Sequence, residues 1–296
     1  KMISITKIYY KLGKKIEYNS ILEKKLKLKK NSIFKLTGIN KRFVSKKNDT
    51  SEKLALEVSK NIRNNELLKI THIISVTNTP SIKFPGISNY VSSSLNLKNL
   101  HCINLNLGCT GYVDALILAY DIINFNKKSK ILIITADTYS KYISIKNRSI
   151  RPLFSDGASA TLIQYKKNGF KSIARITKNI SKTQEDLIFK NNEITMNGPA
   201  VISLAIRHVI PEIKKYSKNA DCIFLHQAGK IVSNLIKESV GKDYFIPTNY
   251  EKYGNLVSTS IPVLLKENFS KLKTKSKILF CGFGVGLSMS LFKLEK

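Results

Sequence analysis

The feature that most constrains the fold of this sequence is a set of short segments that recur at a nearly constant offset. Ser129-Lys130-Ile131-Leu132 returns as Ser276-Lys277-Ile278-Leu279, an offset of 147 residues from 129 to 276, and both copies open an apolar run. Gly108-Cys109 and Gly254-Asn255 are separated by a similar distance, and each precedes a stretch with helical spacing. Matches in the same order at one offset indicate a duplication, which is best sought before other patterns.

The duplication predicts two similar halves, residues 1–165 and 166–296. Buried strands and helices alternate in both, for example at residues 73–76 and again at 222–225, which favours an α/β fold with mostly parallel sheets covered by helices. Ligands bind at the carboxyl ends of parallel strands, so polar residues there are expected to meet where the halves join.

Cys109 is the first candidate for chemistry. It stands between Gly108 and Thr110, just before a helical stretch that runs to about Phe125. Unsatisfied N–H groups and the positive end of the helix dipole favour the thiolate, which is the nucleophilic form of cysteine. Inert burial is the commoner fate of a cysteine. The other three cysteines lie in or beside apolar runs and are expected to be buried and unreactive: Cys102, Cys222 and Cys281.

His226 and Asn255 are the candidates in the second half. His226 follows a short apolar strand, where a histidine can exchange a proton near neutral pH, although a loop histidine with no function would look similar. Asn255 follows Gly254, a pair that commonly makes turns. Its amide could instead donate a hydrogen bond to an oxygen that becomes negative during a reaction.

The glycine-rich segment Gly282-Phe283-Gly284-Val285-Gly286 follows a buried strand. A dinucleotide-binding loop would lead into a helix, whereas the residues after Gly286 alternate in the manner of a strand. We therefore predict a strand-to-strand turn that presents backbone N–H groups.

Composition limits the partners and the compartment. The formal net charge is +30, but lysines occur throughout the chain and no basic helix carries interleaved aromatic residues, so an acidic protein partner is favoured over nucleic acid. No apolar run reaches the roughly 18 residues of a membrane span, and the N-terminal residues alternate like a strand. Four cysteines without a CxxC pair or zinc-ligand spacing indicate a reducing compartment, and we expect a cytoplasmic protein without a metal site.

Eight short motifs follow one another along the chain: Thr37-Gly38-Ile39 with Arg42, Phe84-Pro85, Gly108-Cys109-Thr110-Gly111, the segment from Phe154 to Ala160, Met196-Asn197-Gly198, His226-Gln227-Ala228, Gly254-Asn255, and the segment from Gly282 to Gly286. In this order they resemble the motifs of the ketoacyl-acyl-carrier-protein synthase III family of thiolase-like condensing enzymes. The resemblance extends over nearly the whole chain. It implies a thiolase fold, a duplicated five-layer α-β-α-β-α arrangement, in a homodimer.

The resemblance also implies a two-stage reaction without a metal or redox cofactor. Cys109 takes an acyl group from acyl-CoA or acyl-carrier protein, with the backbone N–H groups of Cys109 and Val285 as the oxyanion hole. Malonyl-carrier protein then loses carbon dioxide, and His226 and Asn255 stabilise the enolate that attacks the acyl group. The product is a 3-oxoacyl thioester, as in the initiation of fatty acid synthesis.

Further residues receive roles by the same resemblance. Phe283 and Gly284 belong to the acyl-pocket loop, and Phe84 is expected to reach the acyl pocket of the partner subunit. The position of Lys230, directly after the His226 motif, and the basic composition make this residue a candidate contact for an acidic acyl carrier protein.

Some positions depart from the family pattern. Ser32 and Leu36 stand where many members have a tryptophan and an arginine that contact coenzyme A, and glycine replaces asparagine at Gly229. Ser155 replaces a glycine, and the segment between Ala160 and His226 is short. These departures leave open a specialised paralogue with another acyl donor. Two other readings are an acyltransferase that acylates an alcohol or amine without decarboxylation, and a non-catalytic partner subunit, which would typically lack the cysteine.

Overall fold

The computed structural model describes residues 2–272, 276–284 and 286–296. The strands are β1 (Met2–Leu12), β2 (Lys15–Tyr18), β3 (Lys41–Val44), β4 (His72–Val76), β5 (His101–Leu105), β6 (Lys130–Asp137), β7 (Gly157–Tyr165), β8 (Phe170–Asn179), β9 (Leu187–Lys190), β10 (Glu193–Met196), β11 (Cys222–Leu225), β12 (Lys277–Gly284) and β13 (Ser288–Glu295). The helices are α1 (Asn19–Leu26), α2 (Ser32–Thr37), α3 (Ser51–Ser59), α4 (Asn64–Leu67), α5 (Ile87–Ser94), α6 (Gly111–Phe125), α7 (Gly198–Leu204), α8 (Ile210–Ser217), α9 (Lys230–Val240), α10 (Tyr250–Tyr253) and α11 (Ser260–Asn268). A π-helical turn, Ala205–Val209, joins α7 to α8, and 3₁₀ turns lie at Tyr139–Lys141, Val257–Thr259 and Phe269–Lys271.

Nine of these strands form one hydrogen-bonded sheet in the order β11-β12-β13-β8-β1-β7-β6-β4-β5. The link between β8 and β1 is narrow, since only Met2 and Ile3 of β1 pair with β8. Read toward this link from each side, the strands follow equivalent orders, β4-β6-β7-β1 in one part of the sheet and β11-β12-β13-β8 in the other. Thus β4 corresponds to β11, β6 to β12, β7 to β13 and β1 to β8. A duplication produces this kind of equivalence. The boundary at 165/166 stays a prediction, and it falls between β7 and β8.

The expectation of mostly parallel sheets is wrong, because the sheet is mixed. The pairs β4–β5, β4–β6 and β11–β12 are parallel. The pairs of β1 with β7 and β8, β6 with β7, and β13 with β12 and β8 are antiparallel. Antiparallel neighbours need no helical crossover, and β12 and β13 join directly as a hairpin with Gly284 opposite Ser288. This hairpin is the strand-to-strand turn that the glycine-rich segment predicts.

Two helices lie between the two parts of the sheet. One core contains buried residues of α6 and α11 together with residues of β4 and β6 from the first part and of β11 and β12 from the second. Separate cores place α3 and α5 outside the first part, and α8 and α9 outside the second. The resulting sequence of layers is helix, sheet, helix, sheet, helix.

The sequence of α6 suits the central layer. Apolar residues occupy nearly every face of this 15-residue helix, and eight of its residues are buried, as a helix enclosed by two sheets requires. Its first residue, Gly111, packs so closely on β4 that a Cβ atom there would lie 2.2 Å from Cγ1 of Val76. The absence of a side chain at Gly111 therefore fixes the start of α6 beside the end of β4.

The sequence predicts no membrane-spanning segment. The helices in the described part of the chain include none that combines the length and the apolar character needed to cross a bilayer.

Candidate active site

A cavity of about 310 Å³ brings together the three candidates for chemistry, which lie far apart in the sequence. Cys109, His226 and Asn255 all line it, and each is at most 4% exposed. The cavity has walls from both halves of the chain. The expectation that polar residues after the strands meet where the halves join agrees with the positions of Cys109 after β5 and His226 after β11, whereas Asn255 reaches the cavity from the segment after α10.

Cys109 reaches the cavity from the turn before α6. The turn is closed by a hydrogen bond of 2.9 Å from the amide of Gly111 to the carbonyl of Gly108. The side chain packs in a small apolar cluster with Tyr139, Phe154 and Val257. The thiol thus combines a position near the positive end of a helix dipole with surroundings that exclude water, where a hydrogen bond or dipole acts more strongly than in solution.

The end of β12 packs directly against the nucleophile candidate. A Cβ atom on Gly282 would lie 2.7 Å from the carbonyl oxygen of Cys109, and one on Gly284 would lie 2.8 Å from the Cys109 Sγ atom. Gly284 also has a φ of +148°, in the region that favours glycine. Both glycines therefore allow an approach of backbone to thiol that a side chain would prevent.

His226 extends β11 into the cavity. Its backbone N–H donates to the carbonyl of Cys281 at 2.8 Å, and its ring lies edge-on to Phe283, with the ring centroids 5.6 Å apart. Burial lowers the pKa of His226 to about 3, while the backbone of Val257 acts on this pKa in the opposite direction. The imidazole is therefore neutral near pH 7. Within the described residues its Nδ1 atom has no hydrogen-bond partner.

Asn255 is held by its backbone and by its side-chain oxygen. Its backbone N–H donates to the backbone carbonyl of Leu153 at 2.9 Å, and its backbone carbonyl accepts from the backbone N–H of Ser155 at 2.8 Å. The Oδ1 atom accepts the N–H of Val257 at 2.9 Å, which leaves the Nδ2 donor of Asn255 for a ligand. Gly254 makes this arrangement possible, because a Cβ atom there would lie 2.8 Å from the Ser155 hydroxyl.

The apolar wall of the cavity was missed by the sequence analysis. Six of its residues come from the loop before β7, the β9–β10 hairpin and α7: Leu153, Phe154, Leu187, Met196, Val201 and Ile202. The motif Met196-Asn197-Gly198 was the available signal, since Met196 lies in the wall and the Asn197 side chain accepts a hydrogen bond from the amide of Ala200 at the start of α7. The other positions carry no local pattern that distinguishes a cavity wall from a core.

The remaining predicted site residues are distributed differently. Phe283, Gly284 and Lys230 line the same cavity, and Lys230 is exposed at the first position of α9. Phe84 is 90% exposed and does not line the cavity of its own chain. Val285 lies outside the described residues, so its predicted place in an oxyanion hole stays a prediction.

Two of the departures from the family pattern have a physical explanation. Gly229 has a φ of +114° immediately before α9, a conformation that asparagine adopts less readily than glycine. The Ser155 hydroxyl accepts the N–H of Phe43 at 3.0 Å and thereby fixes β3 beside the Asn255 segment. Leu36 is 60% exposed and lines the cavity, so it presents an apolar surface at the entrance.

Two further expectations concern metal ligands and the cysteines other than Cys109. In residues 2–272, 276–284 and 286–296, no group of three or more His, Cys, Asp or Glu side chains is placed to hold a metal ion. The expected independence from metal and redox cofactors stays a prediction. Burial raises the pKa of Cys222 to about 12 and raises that of Cys281 as well, so both thiols stay protonated at neutral pH. That result agrees with the inert role predicted for these two cysteines.

Comparisons with known families give matches in both halves of the chain. The model of 3-oxoacyl-[acyl-carrier-protein] synthase III matches residues 103–179, and the model of its C-terminal part matches residues 214–295. Beta-ketoacyl-[acyl-carrier-protein] synthase III of Clostridium perfringens is 31% identical over 281 residues, covering 85% of this chain and 86% of the relative. The enzyme of the same name from Streptococcus gordonii is 32% identical over 282 residues, with the same coverage of both chains.

Solved structures agree with this result at the level of the fold. A crystal structure of 3-oxoacyl-(acyl-carrier-protein) synthase III superimposes with a TM-score of 0.93 at 23% identity, and the match covers all of both chains. The predicted thiolase fold is confirmed by this similarity.

Proposed function

Because the chain belongs to the 3-oxoacyl-[acyl-carrier-protein] synthase III family of condensing enzymes, which are transferases, we propose that it joins an acyl group to malonyl-acyl-carrier protein with loss of carbon dioxide. The product is a 3-oxoacyl thioester, and the pathway is the initiation of fatty acid synthesis. One observation carries the assignment of roles. Cys109, His226 and Asn255 come from three distant segments and line one buried cavity.

In the first stage the thiolate of Cys109 attacks the carbonyl carbon of an acyl thioester. The negative oxygen of the tetrahedral intermediate is stabilised by backbone N–H groups, for which we propose those of Cys109 and Val285. When the intermediate collapses, the bond from carbon to the carrier sulfur breaks, and the carrier thiolate leaves and takes up a proton. The acyl group remains on Cys109 as a thioester.

In the second stage the bond between the carboxylate and the α-carbon of malonyl-carrier protein breaks. Carbon dioxide leaves, and the electron pair forms a thioester enolate. The Nδ2 donor of Asn255 and the neutral imidazole of His226 hydrogen-bond to the enolate oxygen. The enolate carbon then attacks the acyl-Cys109 carbonyl, and the Cys109 thiolate leaves, which restores the enzyme.

The alternative of acyl transfer without decarboxylation is not favoured. An alcohol or amine acceptor forms no enolate. Such a reaction would therefore have no use for the Asn255 side chain, whose Nδ2 donor is left available because Val257 binds its Oδ1 atom. The buried neutral His226 is likewise suited to donating a hydrogen bond, since its lowered pKa makes it a weak base for activating an alcohol.

We further propose that the acyl and malonyl groups arrive on acyl carrier protein, with Lys230 as one contact. Lys230 is exposed at the cavity entrance, and the formal net charge of +30 favours an acidic partner. Two copies of the chain would form a homodimer in which Phe84 of one copy reaches the cavity of the other. The high exposure of Phe84 in the single chain is compatible with this role.

The test measures the two stages separately. Adduct mass after incubation with acyl thioesters reports acylation, and carbon dioxide release from labelled malonyl-carrier protein reports decarboxylation. Cys109→Ala should abolish the adduct. Asn255→Ala should retain it but lose about 10²–10³ in carbon dioxide release, the usual cost of a missing oxyanion donor. Acylation of Cys109 in an unaltered enzyme that never decarboxylates malonyl groups would replace this proposal with plain acyl transfer.

A further inference from the structure

The 3₁₀ turn Val257–Thr259 begins with a residue in an unusual conformation. Val257 has a φ of +54°, in the left-handed region that β-branched residues rarely adopt. Such conformations persist only where surrounding contacts hold them, and they concentrate at functional sites.

The backbone of Val257 contacts both residues assigned to the second stage. Its N–H donates to Oδ1 of Asn255 at 2.9 Å, which decides that the amide presents Nδ2 to the cavity. Its backbone also acts on the His226 ring, because it raises the pKa of the imidazole against the effect of burial. A rotation of the Val257 backbone would therefore turn the Asn255 amide and change the polar surroundings of the His226 ring.

The next residue anchors this backbone to the opposite half of the chain. The Ser258 hydroxyl donates to Oδ2 of Asp137 at 2.6 Å. Asp137 is the last residue of β6 and is fully buried. Neither Ser258 nor Asp137 belongs to the lining of the cavity, so neither is placed to touch a substrate there.

Asp137 is itself held from its other side. Its Oδ1 atom accepts from the backbone N–H of Asn78 at 2.9 Å and from the hydroxyls of Thr77 and Thr79, both at 3.3 Å. Only the Oδ2 bond to Ser258 leads toward the reacting groups. A carboxylate with four donors is a fixed acceptor, which suits it to hold a neighbouring turn in place.

We propose that Asp137 and Ser258 are positioning residues for the second stage of the reaction, which hold the Val257 backbone so that Asn255, beside His226 in the cavity, presents its Nδ2 donor to the enolate oxygen. This inference rests on the proposed function and assigns residues to its decarboxylation stage. A bond that merely joins the two halves would contribute to stability alone, whereas a positioning bond affects one stage more than the other.

The test is Ser258→Ala, which removes the hydroxyl and leaves Asp137 with its other three donors. Carbon dioxide release should fall about 10- to 100-fold, because a displacement near 1 Å can cost about 10² in rate. The rate of acyl-adduct formation on Cys109 should change less than about threefold, since the anchored residues act after acylation. Thr77→Val is the matched control, because it removes a hydroxyl donor from the same carboxylate on the side away from Val257. It should leave both rates within about threefold of the unaltered enzyme.

Asp137→Asn and the double variant complete the test. Asp137→Asn should show the same selective loss, and it carries the test if Ser258→Ala does not fold. If the two residues act through one contact, the double variant should be no slower than the slower single variant. Equal losses in both stages, an unchanged rate of carbon dioxide release in a folded variant, or a Thr77→Val loss as large as that of Ser258→Ala would each overturn the inference. In all these outcomes decarboxylation by the unaltered enzyme still tests the proposed function independently.

Discussion

The burial of His226 makes the stability of the protein depend on pH in a way that a single substitution can reveal. An unperturbed histidine has a pKa of about 6.5. In the folded protein burial lowers the pKa of His226 to about 3. Below pH 6.5 the unfolded chain therefore binds a proton at this residue that the folded protein does not bind. The contribution of the neutral, buried His226 to the free energy of unfolding is therefore complete above pH 6.5. It falls progressively as the pH drops below 6.5 and is fully lost near pH 3.

The size of the effect follows from the two pKa values. At pH 5 the histidine of the unfolded chain is about 97% protonated, whereas that of the folded protein is about 1% protonated. Linkage then gives a loss of about 2 kcal/mol in the free energy of unfolding between pH 8 and pH 5 from this residue alone. His226→Gln removes the titrating group and keeps a side chain that can donate a hydrogen bond.

Urea unfolding at pH 8 and pH 5 measures this contribution in the unaltered protein and in His226→Gln, at one protein concentration. Other titrating groups are common to both proteins and cancel in the comparison. The stability of the unaltered protein relative to the variant should fall by about 2 kcal/mol from pH 8 to pH 5. A relative stability that stays constant to about 0.5 kcal/mol would show that His226 does not have a strongly lowered pKa in the folded protein, and the neutral donor role would lose its basis.

Three further predictions concern access to the cavity. Gly284→Ala places a methyl group against the Cys109 thiol and should slow acyl-adduct formation at least about 100-fold. Gly241→Ala also adds a methyl group at a positive φ but meets nothing within 4 Å, so it should leave the rate of adduct formation unchanged. Equal losses in the two variants would point to backbone strain rather than contact with the thiol. Leu36→Arg adds a cation at the cavity entrance and should speed acylation by acetyl-CoA relative to acylation by acyl-carrier protein. The measurement is the ratio of the rates of adduct formation with the two donors, and an unchanged ratio would argue against the predicted preference for the carrier-bound donor. The affinity for acyl carrier protein, measured by titration calorimetry, should weaken as the salt concentration rises. At low salt, Lys230→Glu should bind the carrier protein more weakly than the unaltered chain. Binding that does not depend on salt would contradict the docking proposal.

Local signals in the sequence singled out the three residues for which we propose chemical roles, and the structure places all three in one cavity. Cys109, His226 and Asn255 each have flanking residues that place them after a strand or before a helix, so their surroundings can be read over a few positions. The duplication could be predicted for the same reason, because the repeated segments are short and contiguous, and the strand order of the sheet is consistent with it. Strand direction could not, since β1, β7, β8 and β13 pair with neighbours that are distant in sequence, and a strand's apolar pattern does not specify its partner.

The contacts around Val257 illustrate what local patterns leave out. Val257 has a left-handed backbone although valine disfavours it, and the conformation depends on contacts that bring residues 137 and 258 together across 121 positions of sequence. Position 257 carries a β-branched residue instead of glycine or asparagine, so its residue type does not indicate a left-handed backbone. Tertiary contacts override local preference here, as is common at functional sites.

The position of α6 and α11 between the two parts of the sheet has a consequence for how such a chain can arise. Each part of the sheet has outer helices of its own, but its inner face is buried only because the opposite part and both central helices cover it. A single unduplicated half would leave that face open to water, and large exposed apolar faces favour association. A separated half would therefore cover this face by pairing with a second half, and joining the two in one chain makes that association independent of concentration.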